Sequence, residues 1–131
     1  MAEVIIAVDD IASNRKMISL ILKEKGYEVI EAIDGKDALE KLNPSVKMII
    51  TDLNMPNIDG IELIKRVKVN PDYKSIPIII LTAESEEEKK QEGKFVGAAD
   101  WINKPIESKK LISVVSRYIQ TFARSEERRV G

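Results

Sequence analysis

Short runs of branched apolar residues recur along this chain at Val4–Val8, Met48–Thr51, Ile78–Leu81 and Ala98–Ile102, and the stretches between them have helical spacing. That alternation reads as successive βαβ units on a mostly parallel sheet, with five strands and five helices expected. The first, third and fourth strands are apolar on both faces and belong in the middle of the sheet, whereas Tyr27 to Ala32 alternates polar with apolar and suits a half-exposed edge. Open α/β sheets bind ligands beyond the carboxyl ends of their strands, where strand order reverses. The residues that end the runs therefore matter most: Asp9-Asp10, Asp52, Thr82 and, just past the last run, Lys104-Pro105. If the runs are neighbouring parallel strands, three carboxylates, a hydroxyl and an ammonium share one small site.

The intervening segments carry their own start and stop signals. A first helix is expected from about Ser13, with Ile18, Ile21, Leu22 and Lys25 on one face and Gly26 as its left-handed stop. Asp34-Gly35 turns into a short helix with Ala38, Leu39 and Leu42 inward, closed by Asn43-Pro44. Asp59 and Glu62 are spaced for a capping box ahead of Leu63, Ile64 and Val67, and Asn70-Pro71-Asp72 ends that helix. The helix after the fourth strand opens on Ser85-Glu86-Glu87-Glu88, has few inward apolar residues, is weakened by Gly93 and brings Phe95 and Val96 late. Little apolar burial places it at the low end of local stability, where moving elements are found. The last helix repeats Leu111, Val115, Tyr118 and Phe122, with Ile112 and Ile119 beside them. Arg124 to Gly131 has no periodic apolar face and reads as a frayed tail, disordered or non-native, after one domain spanning 1–123.

Composition removes several functions. With 131 residues, net charge -1 and 44% hydrophobic content, the chain fits one domain with a real core. It has no cysteine and no histidine, which excludes disulfides, thiolate or imidazole metal sites, histidine triads and a phosphohistidine of its own. No apolar stretch approaches the ~20 residues of a membrane span, and the start lacks the basic residues of a signal peptide. A cytoplasmic location is expected. Balanced charge and few aromatics speak against nucleic-acid binding, no membrane contact is foreseen, and a monomer is expected.

Five motifs occur in order: Val8-Asp9-Asp10 followed by Arg15; Ala32-Ile33-Asp34-Gly35 with Ala38-Leu39; Thr51-Asp52-Leu53-Asn54-Met55-Pro56 with Asp59-Gly60; Thr82-Ala83; and Lys104-Pro105. With them the chain resembles the response-regulator receiver domains of two-component signalling, over roughly Val4 to Phe122, and is most similar to the single-domain chemotaxis regulators. The resemblance implies a flavodoxin-like, doubly wound α/β fold: a five-stranded parallel sheet of order 2-1-3-4-5 with five helices. It implies Asp52 as phosphoacceptor, Asp9 and Asp10 serving with it a magnesium ion (Mg2+), and the Asn54 backbone carbonyl as a further metal ligand. Thr82 and Lys104 would bind phosphoryl oxygens. Trp101, three residues before Lys104, takes the place of the family's switch aromatic, where chemotaxis regulators usually carry Tyr, and Ile106 stands where Phe often follows Lys-Pro. The implied partners are a histidine kinase as phosphodonor and a downstream target such as a flagellar motor switch component.

The chemistry suits these residues. A carboxylate attacks phosphorus to form a mixed anhydride, and because two anions must meet, most of the help has to be positioning and charge neutralisation. Magnesium takes an octahedron of oxygens. Two like charges ~4 Å apart near a protein surface repel by about 4 kcal/mol, so a bare three-carboxylate cluster is costly. Singly the residues are ordinary: Asp-Asp caps helices, Asp52 forms turns, Thr82 ends strands, Lys104 is solvated and Trp101 fills a core. The expected role is a phosphorylation switch that takes part in its own phosphorylation and dephosphorylation but is not a turnover enzyme. A phosphorelay intermediate is the alternative within the class. An aspartyl-nucleophile phosphatase would carry a second Asp where Asn54 stands, and a flavin-binding flavodoxin would want a hydroxyl- and Gly-rich loop in place of Asp9-Asp10.

Overall fold

The apolar runs pair side by side in one parallel sheet. The computed structural model describes residues 2–83 and 87–130, with side chains through 122. Its elements are β1 (Val4–Val8), α1 (Ala12–Glu24), β2 (Glu28–Ala32), α2 (Gly35–Lys41), β3 (Val46–Asp52), α3 (Gly60–Lys68), β4 (Ile78–Thr82), α4 (Glu87–Val96), β5 (Asp100–Asn103) and α5 (Ser108–Val130). Strand order is β2-β1-β3-β4-β5, the doubly wound flavodoxin-like arrangement that the resemblance implies. Val8 lies beside Ala32 and Thr51, Asp52 opposite Leu81, and Thr82 opposite Asn103. This register sets the ends of the runs at one level, so the residues that follow them meet.

Alternation along the strands builds two cores. Ile5, Ala7, Met48, Ile50, Ile79, Leu81 and Ile102 face Ile18, Ile21 and Leu22 of α1 and Leu111, Val115 and Ile119 of α5. Val4, Ile6, Val8, Ile49, Ile78 and Ile80 face Ala38 of α2 and Ile61, Leu63, Ile64 and Val67 of α3. Every residue of β1 and β4 is buried, as their unbroken apolar sequence requires, whereas β2 starts at exposed Glu28 and stays half-buried to Ile30 and Glu31.

Boundaries differ from the sequence reading in instructive ways. Helix α1 begins at Ala12, with Ile11 at its cap and no side-chain cap bond, and Lys25 caps its far end just before Gly26 at φ 91°. The Asp59 carboxylate accepts from the Glu62 N–H at 2.9 Å, one half of the capping box, while the Glu62 carboxylate turns to Arg66 at 3.0 Å. Strand β5 starts at Asp100 rather than Ala98, because the Ala98 N–H closes the turn after α4 on the Gly93 carbonyl at 2.9 Å. The expected start of α4 at Ser85-Glu86 lies outside the described residues. Of α4's residues only Gly93 is buried, and Phe95 is 91% exposed, so the late apolar pair brings only Val96 toward the core. The backbone of α5 runs on to Val130 through the segment read as a frayed tail. That segment lacks an apolar stripe but is rich in Arg and Glu, good helix formers, and propensity prolongs a helix already nucleated by packing.

Candidate functional site

Asp9 follows β1, and nearly every polar atom it owns is committed. Its N–H donates to the Ala32 carbonyl at 3.2 Å, its carbonyl accepts from Arg15 Nη1 at 2.8 Å, and its Oδ1 accepts from the Ile11 N–H at 2.9 Å. Oδ2 alone is left, buried and without a hydrogen-bond partner among the described residues. A buried orphan oxygen of this kind calls for an explanation. Burial pushes the Asp9 carboxyl above the usual carboxylate range and the charges of Asp52 and Asp10 push the same way, against the Ile11 N–H and Lys104.

Asp52 ends β3 and is 4% exposed. Its Oδ1 accepts from the Leu53 N–H at 2.8 Å and its Oδ2 pairs with Lys104 Nζ at 3.0 Å. Asp9, Asp10 and Asp52 each offer a carboxylate oxygen, and these three atoms lie within 4.8 Å of one another. Two of the carboxylates are buried and Asp10 is open to solvent. A hard cation suits such a place: the donors are all oxygen, their charges repel, and the orphan Asp9 Oδ2 belongs to the cluster's most buried member. The residues present therefore fit magnesium.

The remaining sequence-predicted residues frame this cluster. Lys104 is placed by its own N–H, which donates to the Thr82 carbonyl at 2.8 Å, and the Lys104-Pro105 bond is cis. Thr82 is fully buried, with its hydroxyl donating to the Ala83 carbonyl at 3.1 Å rather than to Asp52. Asn54 lines a cavity of about 380 Å3 with Asp10, Met55, Pro56, Asp59 and Lys89, and its side-chain oxygen accepts from Lys89 of α4. Trp101 is half-buried on β5, beneath Lys90 and Lys94 of α4, whose ammonium groups lie 4.7 and 4.3 Å from the ring centroid. Gly60, at the start of α3, packs against the end of β3 itself: its N–H donates to the Leu53 carbonyl at 2.9 Å, and a Cβ there would sit 2.5 Å from the Asp52 carbonyl oxygen.

Sequence reasoning missed three contributors: the grip of Arg15 on Asp9, the reach of Lys89 to Asn54, and the paired lysines over Trp101. Arg15 stood in the first motif but carried no assigned role. Its only local signal was one-turn spacing from Ile11, whose carbonyl accepts the Arg15 N–H. Its partner Glu31 on the neighbouring strand is a tertiary fact.

The chain matches the family described as the response regulator receiver domain over residues 5–116. It is 36% identical over 124 residues to the phosphate regulon transcriptional regulatory protein PhoB of Escherichia coli, covering 94% of this chain but 54% of that protein, so it spans about half the length of that relative. It is 31% identical to protein PilG of Pseudomonas aeruginosa, covering 90% of this chain and 88% of PilG. Among solved structures, the chemotaxis response regulator CheY4 of Vibrio cholerae superposes with a TM-score of 0.82 at 42% identity, covering 90% of this chain and 99% of CheY4. A putative response regulator from Chloroflexus aurantiacus superposes with a TM-score of 0.87 at 34% identity, covering 92% and 99%. The strand order, the carboxylates gathered at the strand ends and these likenesses agree, and the chain belongs to the response regulator receiver domains of two-component systems.

Proposed function

We propose that this protein accepts a phosphoryl group on Asp52 from a histidine kinase and uses the gained charge to change which partner it binds. One observation carries the reading: Asp52, buried and held by Lys104 Nζ at 3.0 Å, shares a cluster with Asp9 and Asp10 in which Asp9 Oδ2 has no hydrogen-bond partner among the described residues. Receiver domains are phosphorylated by histidine kinases, and this arrangement supplies what the transfer needs.

The Asp52 carboxylate attacks phosphorus, an O–P bond forms, and the donor's bond to phosphorus breaks with the electron pair leaving on the donor. The Leu53 N–H and Lys104 hold the two carboxylate oxygens in fixed directions, which spares the reaction an orientation cost. Magnesium, held by Asp9, Asp10, Asp52 and the Asn54 carbonyl, would supply charge neutralisation to the phosphoryl oxygens. Lys104 then gives its ammonium to one phosphoryl oxygen and the Thr82 hydroxyl donates to another, exchanging the Ala83 carbonyl for a stronger acceptor. Movement of Thr82 bears on Trp101, since Ile80, two residues back on β4, lies opposite it. Asn54 cannot protonate a leaving group, so repeated hydrolysis of phosphomonoesters is disfavoured.

The likeness to CheY4, a chemotaxis protein by its description, favours a chemotaxis role with a motor-type target; a phosphorelay intermediate uses the same site and differs only in passing the group to another protein's histidine. Intact mass after treatment with acetyl phosphate and Mg2+ tests the core of the reading. One added phosphoryl group is expected on the wild type and none on Asp52→Asn. Labelling that persists in Asp52→Asn, or multiple turnover of a generic phosphomonoester, overturns it.

A further inference from the structure

The Asp9 carboxylate serves a cation best if its Oδ2, the oxygen left over by the Ile11 N–H, is held in a fixed direction, and an arginine grips the Asp9 backbone. Arg15 sits in the first turn of α1 with its side chain 12% exposed. Its Nη1 donates to the Asp9 carbonyl at 2.8 Å while its Nε pairs with Glu31 Oε1 on β2 at 3.1 Å. Glu31 is itself tied down: its carbonyl accepts from Lys41 Nζ at 2.8 Å, and Lys41 pairs with Asp37 at 2.9 Å. A planar guanidinium with forked donors can span the gap from α1 to β2 and grip a strand-end carbonyl at once; an ammonium is a point donor on a flexible stem.

We propose that Arg15 is a positioning residue for the divalent cation, acting on Asp9 through its backbone. This rests on the reading of Asp9, Asp10 and Asp52 as a magnesium site. Arg15 fixes the Asp9 carbonyl, the Ala32 carbonyl fixes its N–H, and the Ile11 N–H fixes Oδ1. Those three restraints define where Oδ2 stands before any metal arrives. Partners of metal ligands that bind no metal themselves orient the donors, and losing one typically weakens affinity by about 10- to 100-fold.

The idea makes a prediction opposite in sign to simple electrostatics. Removing a cation from beside a magnesium site should tighten binding if Arg15 acts only as a charge. If it acts by holding Asp9, its removal should weaken binding.

The test measures Mg2+ affinity of the full chain by calorimetry and by Trp101 fluorescence, for wild type, Arg15→Met and Arg15→Lys. Arg15→Met is expected to bind about tenfold more weakly. Arg15→Lys, which keeps the charge and loses the fork, should also weaken. The rate of Asp52 labelling by acetyl phosphate should recover as Mg2+ is raised, the split expected when affinity rather than chemistry is lost. Lys16 Nζ, 3.8 Å from Glu31, leaves that carboxylate a partner in Arg15→Met, and Arg15→Lys serves if the methionine variant folds poorly. Tighter or unchanged binding in Arg15→Met with unchanged binding in Arg15→Lys overturns the positioning role while leaving the magnesium site standing. No Mg2+ binding by the wild type overturns the site itself and the role with it.

Discussion

Helices α3 and α4 lie on the same side of the sheet and are nearly equal in length, yet they are held by different forces. Five of the nine residues of α3 are buried, Gly60, Ile61, Leu63, Ile64 and Val67, and Asp59 caps it. Among the ten residues of α4, Gly93 alone is buried. What α4 has instead are polar contacts: Lys89 reaches Asn54, Lys90 and Lys94 lie over Trp101, and Lys90 pairs within the helix with Glu87 at 2.9 Å. Burial of a Leu or Ile side chain is worth about 1.5–3 kcal/mol, whereas an exposed ion pair or cation–π contact contributes about 0.2–1 kcal/mol and exchanges readily for water. On the proposed function, a change in charge at Asp52 is expected to reset α4 before it moves α3, which makes α3 the fixed side of the comparison and α4 the movable one.

The comparison is most easily broken by cutting each helix at its strongest point. Ile64→Ala removes a fully buried side chain of α3 and should cost about 2–5 kcal/mol in urea unfolding. Val96→Ala, at the half-buried end of α4, should cost about 1 kcal/mol or less. Comparable losses at the two positions would remove the distinction.

At the acidic cluster beyond the strand ends the tension is electrostatic, and a smaller effect measures it. Asp9→Asn keeps an Oδ1 for the Ile11 N–H while removing one charge from the cluster. It should raise metal-free stability at neutral pH by about 1 kcal/mol, a fraction of the ~4 kcal/mol that two like charges ~4 Å apart cost near a surface. The sign with pH follows from the Asp9 carboxyl being raised above its unfolded value of 3.8. The folded protein then holds this proton more tightly than the unfolded chain, so the penalty is fully present above the folded pKa and fades as pH falls through it toward 3.8. The advantage of Asp9→Asn over wild type should shrink across that window. An advantage that is absent at neutral pH, or that grows on acidification, contradicts the account.

The smallest effect is optical and concerns the movable side. Trp101 is the only tryptophan, so fluorescence reports one place. Phosphorylation should shift its emission and its quenching by neutral acrylamide, and Thr82→Ala should accept phosphate yet lose most of that shift. Lys94→Gln should raise acrylamide access before phosphorylation, with a stability cost of roughly 0.5–1 kcal/mol. Identical spectra in all four states would make Trp101 a static core residue.

Much of this was legible in the amino-acid order because it depends on neighbours in the chain. β1 and β4 announce themselves as unbroken apolar runs, and in a parallel sheet the residues at the ends of such runs must meet. Asp9, Asp10, Asp52 and Lys104 were found that way. The thin packing of α4 was also readable, from its shortage of inward apolar positions. Features that depend on which side chain crosses to which element were not. Arg15 reaches Glu31 sixteen residues away and Lys89 reaches Asn54 across thirty-five, distances at which periodicity carries no information. The outward turn of Phe95 escaped for the same reason, since the side facing the sheet is set by Gly93, whose added Cβ would collide with the Ile80 methyl. The length of α5 escaped because propensity alone extends a helix with no apolar stripe to mark it.

Gly60 has a consequence for how this sequence is free to change. It offers no charge and no donor beyond its backbone, yet a single methyl group there would press on the carbonyl of the residue proposed to carry the phosphate. A substitution at Gly60 would first displace the end of β3, and with it the direction in which Asp52 points. The position is thus closed to mutational drift by geometry alone. Directed evolution of a new donor preference or a longer phosphoryl lifetime would have to leave it untouched and work through the side of the cavity bordered by Asn54 and Lys89.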